Sequence, residues 1–325
     1  MNILSYVNRI LEKVKLGLVS HYIFDNWLSL LVKYILTKLG FNVKLMARVK
    51  NCIFEVKPET FAALVSGFKD GFIKSIECSN GKIFINKIEI VNVDDVVYDA
   101  VTSAKVLGWK YDSVNKYWIK GNIRFRHMYR PILEAFDYGH YESLNVVGRV
   151  VVDVGAYIGD SAIYFALRGA RRVIAIEPHP GAFAEMLDNI RLNNLESVII
   201  PINAGLTSKP GKICIGNIGV EDTAITYHRP GDCPNIVPVV TLGELINGFG
   251  IDGDEAVLKM DCEGCEFDVI LNDYEHVRLF KELIFEYHPY AVNKPVDDIL
   301  RVLDKDYKCE VRGGKDLGII HCIRK

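Results

Sequence analysis

Val150-Val151-Val152-Asp153-Val154-Gly155-Ala156-Tyr157-Ile158-Gly159-Asp160-Ser161 passes from an apolar run through a glycine-bearing loop into a helical pattern. The unbroken run Val150–Val154 suits a strand covered on both faces, as in a parallel sheet flanked by helices. Gly155 allows a sharp turn directly after the strand, and Gly159 allows close approach of a ligand where the helix begins. The helix reads as Ser161–Leu167 and stops at Gly169. The next apolar run, Arg172–Ile176, delivers Glu177 18 residues beyond Gly159, where a carboxylate accepts from both ribose hydroxyls of a nucleoside. The loop spacing is G-x-x-x-G, so the middle glycine of the pyrophosphate-binding G-x-G-x-x-G is missing. That favours a nucleoside cofactor without phosphates over a dinucleotide; the competing reading is a tight structural turn.

The same rhythm continues downstream. Phe183, Met186, Leu187 and Ile190 fall on one helix face. Val198–Ile202 reads as a third strand, and a polar insertion from Gly205 to Pro238 as a further hairpin. Thr241-Leu242-Gly243-Glu244 is a capping box. Ala256–Asp261 and Leu283–Tyr287 supply strands four and five, and Tyr307–Arg312 with Leu317–Ile323 an antiparallel pair around Gly313-Gly314. Five strands alternating with helices, then a hairpin, predict an α/β doubly wound sheet with an antiparallel C-terminal edge. Upstream, residues 1–141 read as a smaller α+β region beside a main domain over 142–325. Asp25–Leu39 is an amphipathic helix with Leu28, Leu31, Tyr34 and Ile35 on one stripe, expected to pack on the domain or against a second subunit as a homodimer, with docking on a membrane surface the rarer alternative. Ser79-Asn80-Gly81 marks a hairpin between Phe72–Cys78 and Lys82–Ile90, and a second small β unit spans Trp109–Arg126.

Composition narrows the function classes. The 325 residues carry 39 basic and 41 acidic side chains, a net charge of −2. Half the chain is apolar, which excludes disorder, and the balanced charge gives no overall attraction to a phosphate backbone. Lys13, Lys15, Asp25, Lys33 and Lys38 break the N-terminal apolar stretch before a membrane span accumulates, and no secretory leader is evident. Eight cysteines scattered over the chain are not a secreted disulfide framework, so a soluble cytoplasmic protein is expected, with Cys309 and Cys322 either two buried free thiols or a pair. Cys309 and Cys322 stand symmetrically about the last turn and face each other; a disulfide there belongs to an oxidising or hyperthermophilic interior.

With Ile176-Glu177-Pro178 and Asn189-Ile190-Arg191-Leu192-Asn193, the glycine-loop segment resembles class I S-adenosylmethionine-dependent methyltransferases. Leu258-Lys259-Met260-Asp261-Cys262-Glu263-Gly264-Cys265-Glu266 resembles the K-x-D-x-E-G-x-E signature of the FkbM-type family, and Thr241-Leu242-x-Glu244-Leu245 and Glu286-Tyr287-His288 fit it too. The resemblance runs from about Phe136 to Cys322. It implies a Rossmann-like seven-stranded methyltransferase sheet, S-adenosyl-L-methionine as cofactor, and methylation of a hydroxyl on a carbohydrate, glycolipid or related small acceptor. Gly155 and Gly159 would line the methionine moiety, Asp153 would organise their loop, and Glu177 would hold the ribose. Asn203, ending strand three, stands beside the adenine edge or forms a turn. Tyr157 replaces a common Asn in the cofactor loop, and Cys262 and Cys265 replace small aliphatic residues.

Transfer of a methyl from a sulfonium to a hydroxyl needs alignment, exclusion of water and removal of one proton. Asp261, Glu263 and His288, at the ends of strands four and five, are the candidate catalytic residues. Asp261 has three readings: base, hydroxyl-orienting acceptor, or one ligand of a divalent cation. The family itself implies no metal. Glu266 reads equally as a first-turn carboxylate favoured by the helix dipole. Cys262-x-x-Cys265 has metal or redox spacing but no second pair nearby. Tyr138-Gly139-His140-Tyr141 either closes over the cofactor or packs on the sheet. Arg124, Arg126, His127 and Arg130 make a local basic run that either meets an anionic acceptor or, more often, forms a solvated strand face. Two rival functions remain: N-methylation of tRNA or another nucleic acid, and cofactor binding without turnover. Asp261-Cys262-Glu263-Gly264 departs from the Asn/Asp-Pro-Pro-aromatic tetrapeptide that cradles an exocyclic amine.

Overall fold

A computed structural model describes residues 17–216, 218–221, 233–314 and 317–325. The chain divides into two units, Met1–Gly121 and Asn122–Lys325. Residues 122–141, read above with the N-terminal part, fall in the second unit.

In the first unit, helix Trp27–Lys38 buries Leu30, while Leu28 and Ile35 of the expected stripe are exposed. Hairpin Leu45–Val49/Cys52–Val56, helix Pro58–Lys69 and the three-stranded sheet Ile76–Ser79, Lys82–Ile85 and Ile88–Ile90 share one apolar core around Phe61, Leu64 and Ile85. Asn80 and Gly81 both take positive φ, 50° and 75°, the geometry of a two-residue hairpin turn that matches strand twist.

The second unit is built on seven strands: β1 (Val150–Val154), β2 (Arg172–Ile176), β3 (Ile199–Ile202), β4 (Ala256–Met260), β5 (Glu282–Tyr287), β6 (Tyr307–Gly313) and β7 (Gly318–Arg324). Their order is β3-β2-β1-β4-β5-β7-β6, with the first five parallel and β7 antiparallel to both its neighbours. The chain leaves β1 toward one edge and returns at β4 toward the other, so the switch point lies between the carboxyl ends of β1 and β4. Helices α1 (Arg130–Phe136), α2 (Asp160–Leu167), α3 (Pro180–Leu192), α4 (Leu242–Phe249), α5 (Cys265–Asn272) and α6 (Val296–Leu303) complete the frame used below. Every residue of β1 and of β4 is buried, as the unbroken apolar runs require. Thr241 and Glu244 close the capping box of α4 with both reciprocal bonds.

Three expectations are corrected. Helix α3 buries Ala182, Met186, Asn189 and Ile190; Phe183 and Leu187 lie only half-buried, because the polar Asn189 takes a place in the interface that an apolar count overlooks. The insertion forms a three-stranded sheet of Gly205–Leu206, Lys212–Ile215 and Asn235–Val240, not a plain hairpin; 222–232 lie outside the described residues. All eight cysteines are paired, Cys52–Cys78, Cys214–Cys233, Cys262–Cys265 and Cys309–Cys322, leaving none as a free thiol. Cys309 and Cys322 are direct cross-strand partners in the β6–β7 register. Four disulfides persist in oxidising compartments or in the interiors of hyperthermophiles. Among the described residues, no helix is long and apolar enough to cross a membrane.

Candidate active site

The switch point is held by a buried ion pair. Lys259 on β4 stands opposite Asp153 on β1, with Nζ 3.1 Å from Asp153 Oδ1, and both side chains are fully buried. The ammonium also donates to the Gly155 carbonyl at 2.8 Å, and Ser161 Oγ donates to Asp153 Oδ2 at 2.7 Å. Burial works against the charge on Lys259, but Asp153, Asp261 and Asp160 outweigh it and hold its pKa above the ordinary value. The pair therefore fastens the glycine loop to both central strands, and Lys259 acts as its anchor.

Gly155 has φ 71°, and its α-carbon lies against the backbone of Asp261 so closely that a β-carbon would overlap the Asp261 carbonyl oxygen. Gly159 has φ 86°, and the space beside it is filled by Met186 of α3, whose Cγ lies 3.0 Å from where a β-carbon would stand. The close approach at Gly159 is thus to the protein's own helix. Asn189 steadies the loop from α3, donating to the Ile158 carbonyl at 3.0 Å and accepting from Arg126 N at 2.8 Å. Tyr157 sits at φ 49°, a conformation that Asn tolerates more easily. Its hydroxyl donates to the Val220 carbonyl at 2.9 Å, a tether Asn is too short to make.

At the β2 tip, Glu177 is buried, with its carboxylate accepting from Tyr157 N at 2.8 Å and His179 N at 2.7 Å. Burial raises its pKa to about 7 despite those two bonds. Asn203 at the β3 tip commits its amide to the Glu177 and Pro178 carbonyls at 2.9 and 3.3 Å, which fixes the loop carrying Glu177. Asp160, the first residue of α2, is buried, and its Oδ1 has no hydrogen-bond partner among the described residues. Burial lifts its pKa to about 8, although Lys259 pulls the other way.

On the other side of the switch point, β4 ends in the turn Asp261-Cys262-Glu263-Gly264. Glu263 and Gly264 take φ 54° and 114°, and the Cys262–Cys265 disulfide closes the turn at the start of α5. Glu266 is fully buried: one oxygen accepts from Gly264 N at 2.9 Å, the other from His288 N at 2.9 Å, with His288 Nδ1 at 3.3 Å. His288 Nε2 then points at Glu263 Oε1, 3.6 Å away, and Asp261 Oδ1, 4.0 Å away. Burial lowers the His288 pKa, but the Glu266 hydrogen bond and the Glu263 and Asp261 charges prevail and lift it to about 9. Burial raises Glu263 to about 7 and Glu286 to about 8. Asp261, Glu263 and His288 each offer one ligand atom, all within 4.8 Å of one another. Cys262 and Cys265, being joined, offer no thiolate to a metal.

A cleft of ≈ 380 Å³, in the range of small-molecule sites, runs between these two groups. It is lined by Gly155, Tyr157, Asp160 and Glu177 on the β1–β2 side and by Lys259, Asp261, Cys262 and Glu263 on the β4 side. Tyr129, Arg130, Glu134 and Tyr141 also line it. Tyr141 packs on Phe165 with ring centroids 5.3 Å apart and faces the Lys259 ammonium at 5.6 Å. The basic run is not one charged face: Arg124 and Arg126 bond to α3 through their backbones, His127 contacts Glu185 at 3.0 Å, and Arg130 turns to Glu134 and the cleft. Asp160 and Glu286 were missed as candidates, whereas Glu266 and Tyr141 were singled out with their roles left open. An acid at the first helical position after Gly159 was the available signal for Asp160; pairing of Glu266 with His288 across 22 residues had none.

Residues 153–309 match the methyltransferase FkbM domain. No curated protein matches the chain in sequence. Among solved structures, the methyltransferase FkbM from Methylobacillus flagellatus is 19% identical, covering 59% of this chain and 48% of that one with a TM-score of 0.42. A protein in the NADB-Rossmann superfamily from Streptococcus agalactiae is 16% identical over 61% of this chain and 69% of that one, TM-score 0.37. A putative rRNA-methylase from Clostridium thermocellum is 12% identical over 61% and 97%, TM-score 0.39.

Proposed function

Starting from residues 153–309, which match the methyltransferase FkbM domain, we propose that this chain is an S-adenosylmethionine-dependent enzyme that methylates a hydroxyl of a carbohydrate, glycolipid or related small acceptor. One observation carries the reading: Asp261, Glu263 and His288 converge at the β4 and β5 tips, across one cleft from Glu177 and Asp160.

The cofactor side fits the group the family uses. Glu177 keeps lone pairs for ribose hydroxyls after accepting two backbone amides. The unpartnered Asp160 Oδ1 awaits a donor, which the amino group of a methionine moiety provides. S-adenosylmethionine supplies a methyl on a sulfonium sulfur and leaves as a neutral thioether. Gly155, Tyr157 and Tyr141 shape the wall that excludes water. On the acceptor side Asp261 accepts from the reacting hydroxyl and aims its oxygen. The proton passes to Glu263, whose pKa of about 7 suits a base working near neutrality. Glu266 holds His288, which fixes Glu263 and Asp261 in turn.

Carboxylates on this wall, beside the rings of Tyr129 and Tyr141, suit a neutral polyol and repel a phosphate backbone. This weighs against methylation of a nucleic acid. Incubation with methyl-labelled cofactor and fractionated cell extract tests the reading: label is expected in glycan or glycolipid, and label confined to RNA sinks it.

A further inference from the structure

We propose that Asp261, Glu263 and His288 form a divalent-cation site of the Mg²⁺/Mn²⁺ class that receives the acceptor's hydroxyls; this rests on reading the cleft as the site of methyl transfer. Two carboxylates and one imidazole are an oxygen-rich set that suits these ions. His288 Nε2 lies 3.6 Å from Glu263 Oε1 and 4.0 Å from Asp261 Oδ1. Ligand atoms about 2.1 Å from an octahedral ion stand roughly 3 Å apart when adjacent and roughly 4 Å when opposite, so shifts of about 1 Å or less close the site.

The independent observation is the histidine. Its side chain is only 3% exposed, and Nε2 makes no hydrogen bond among the described residues although it is aimed at the two carboxylates. Buried Glu266 accepts from the His288 backbone at 2.9 Å and faces Nδ1 at 3.3 Å. Glu266 holds the Nδ1 side, so an ion bound here takes the place of the Nε2 proton, in the carboxylate–histidine arrangement that orients metal ligands.

Charge agrees. Tyr290 donates to Glu263 Oε2 at 3.1 Å, leaving Oε1 toward the histidine. Lys259, the lysine lining this wall, is already bound to Asp153 and the Gly155 carbonyl. Three protein ligands leave positions open toward the cleft, and two adjacent ones fit the oxygens of a vicinal diol. With the ion bound, Glu263 serves as a ligand, and coordination acidifies the acceptor hydroxyl, so that its proton is lost to solvent without a strong base.

Titration of metal-stripped full-length protein with Mn²⁺, followed by electron paramagnetic resonance, tests the site without any turnover. One Mn²⁺ per chain is expected, with affinity at least tenfold weaker in Glu263→Gln and in His288→Gln. Circular dichroism and S-adenosylmethionine calorimetry on the same samples report the fold and the cofactor side. Absence of stoichiometric Mn²⁺ in protein that still binds S-adenosylmethionine overturns the cation site and leaves the methyltransferase reading standing. Equal Mn²⁺ affinity in wild type and both folded variants also overturns it. Mn²⁺ binding that depends on these residues, in protein that methylates no hydroxyl, supports the site and sinks the proposed acceptor class.

Discussion

The α-carbon of Gly155 rests against the carbonyl of Asp261, so the glycine loop after β1 and the turn after β4 are in backbone contact. A side chain at 155 meets both a positive φ and immovable backbone. Gly155→Ala is therefore expected to lower stability by about 2 kcal/mol or more and to weaken cofactor binding together with turnover. Thermal melts and calorimetry check this; a variant with wild-type melting and affinity contradicts the contact.

Glu177→Gln keeps the shape of the side chain but removes its charge. Charge-assisted bonds contribute about 1.5–3 kcal/mol each, so S-adenosylmethionine affinity should fall at least about tenfold in a folded protein. Calorimetry gives the answer directly, and unchanged affinity removes Glu177 from the ribose.

Asp160 and Glu177 are buried acids whose pKa values rise from 3.8 to about 8 and from 4.5 to about 7. The native state keeps protons that the unfolded chain has lost, so these groups make stability fall as pH climbs from about 4 to about 8. Asp160→Asn should flatten that slope in melting curves recorded without cofactor. An unaltered slope means that Asp160 is ionised across the range.

The Cys262–Cys265 bridge closes the turn between Asp261 and α5. Reduction by a dithiol frees that turn, and turnover should drop several-fold with little change in cofactor affinity. The double variant Cys262→Ser/Cys265→Ser should match the reduced enzyme and ignore the reductant. A reductant effect that survives in the double variant assigns it to another bridge, such as Cys309–Cys322.

Much of this architecture was legible in local sequence. The apolar runs gave β1, β2, β4 and β5 because strands buried on both faces leave no room for polar alternation. Asn80-Gly81 gave its hairpin through backbone sterics alone, and symmetry about the last turn paired Cys309 with Cys322. Other features depend on tertiary placement. Cys52 meets Cys78, and Glu266 meets His288, only after separate elements pack. Lys259 was visible as a motif residue, yet its partner proved to be Asp153, because lateral pairing of β1 and β4 sets residues 106 positions apart side by side.

The central claim is methyl transfer to oxygen at the β4 tip. The most direct measurement is carbon-13 nuclear magnetic resonance of the product made from methyl-labelled S-adenosylmethionine, with wild type and Asp261→Asn run side by side. The expected result is a methyl carbon on a sugar oxygen, formed about 100-fold more slowly by a variant that binds cofactor normally. A methyl on nitrogen, or equal rates from the two proteins, contradicts the account.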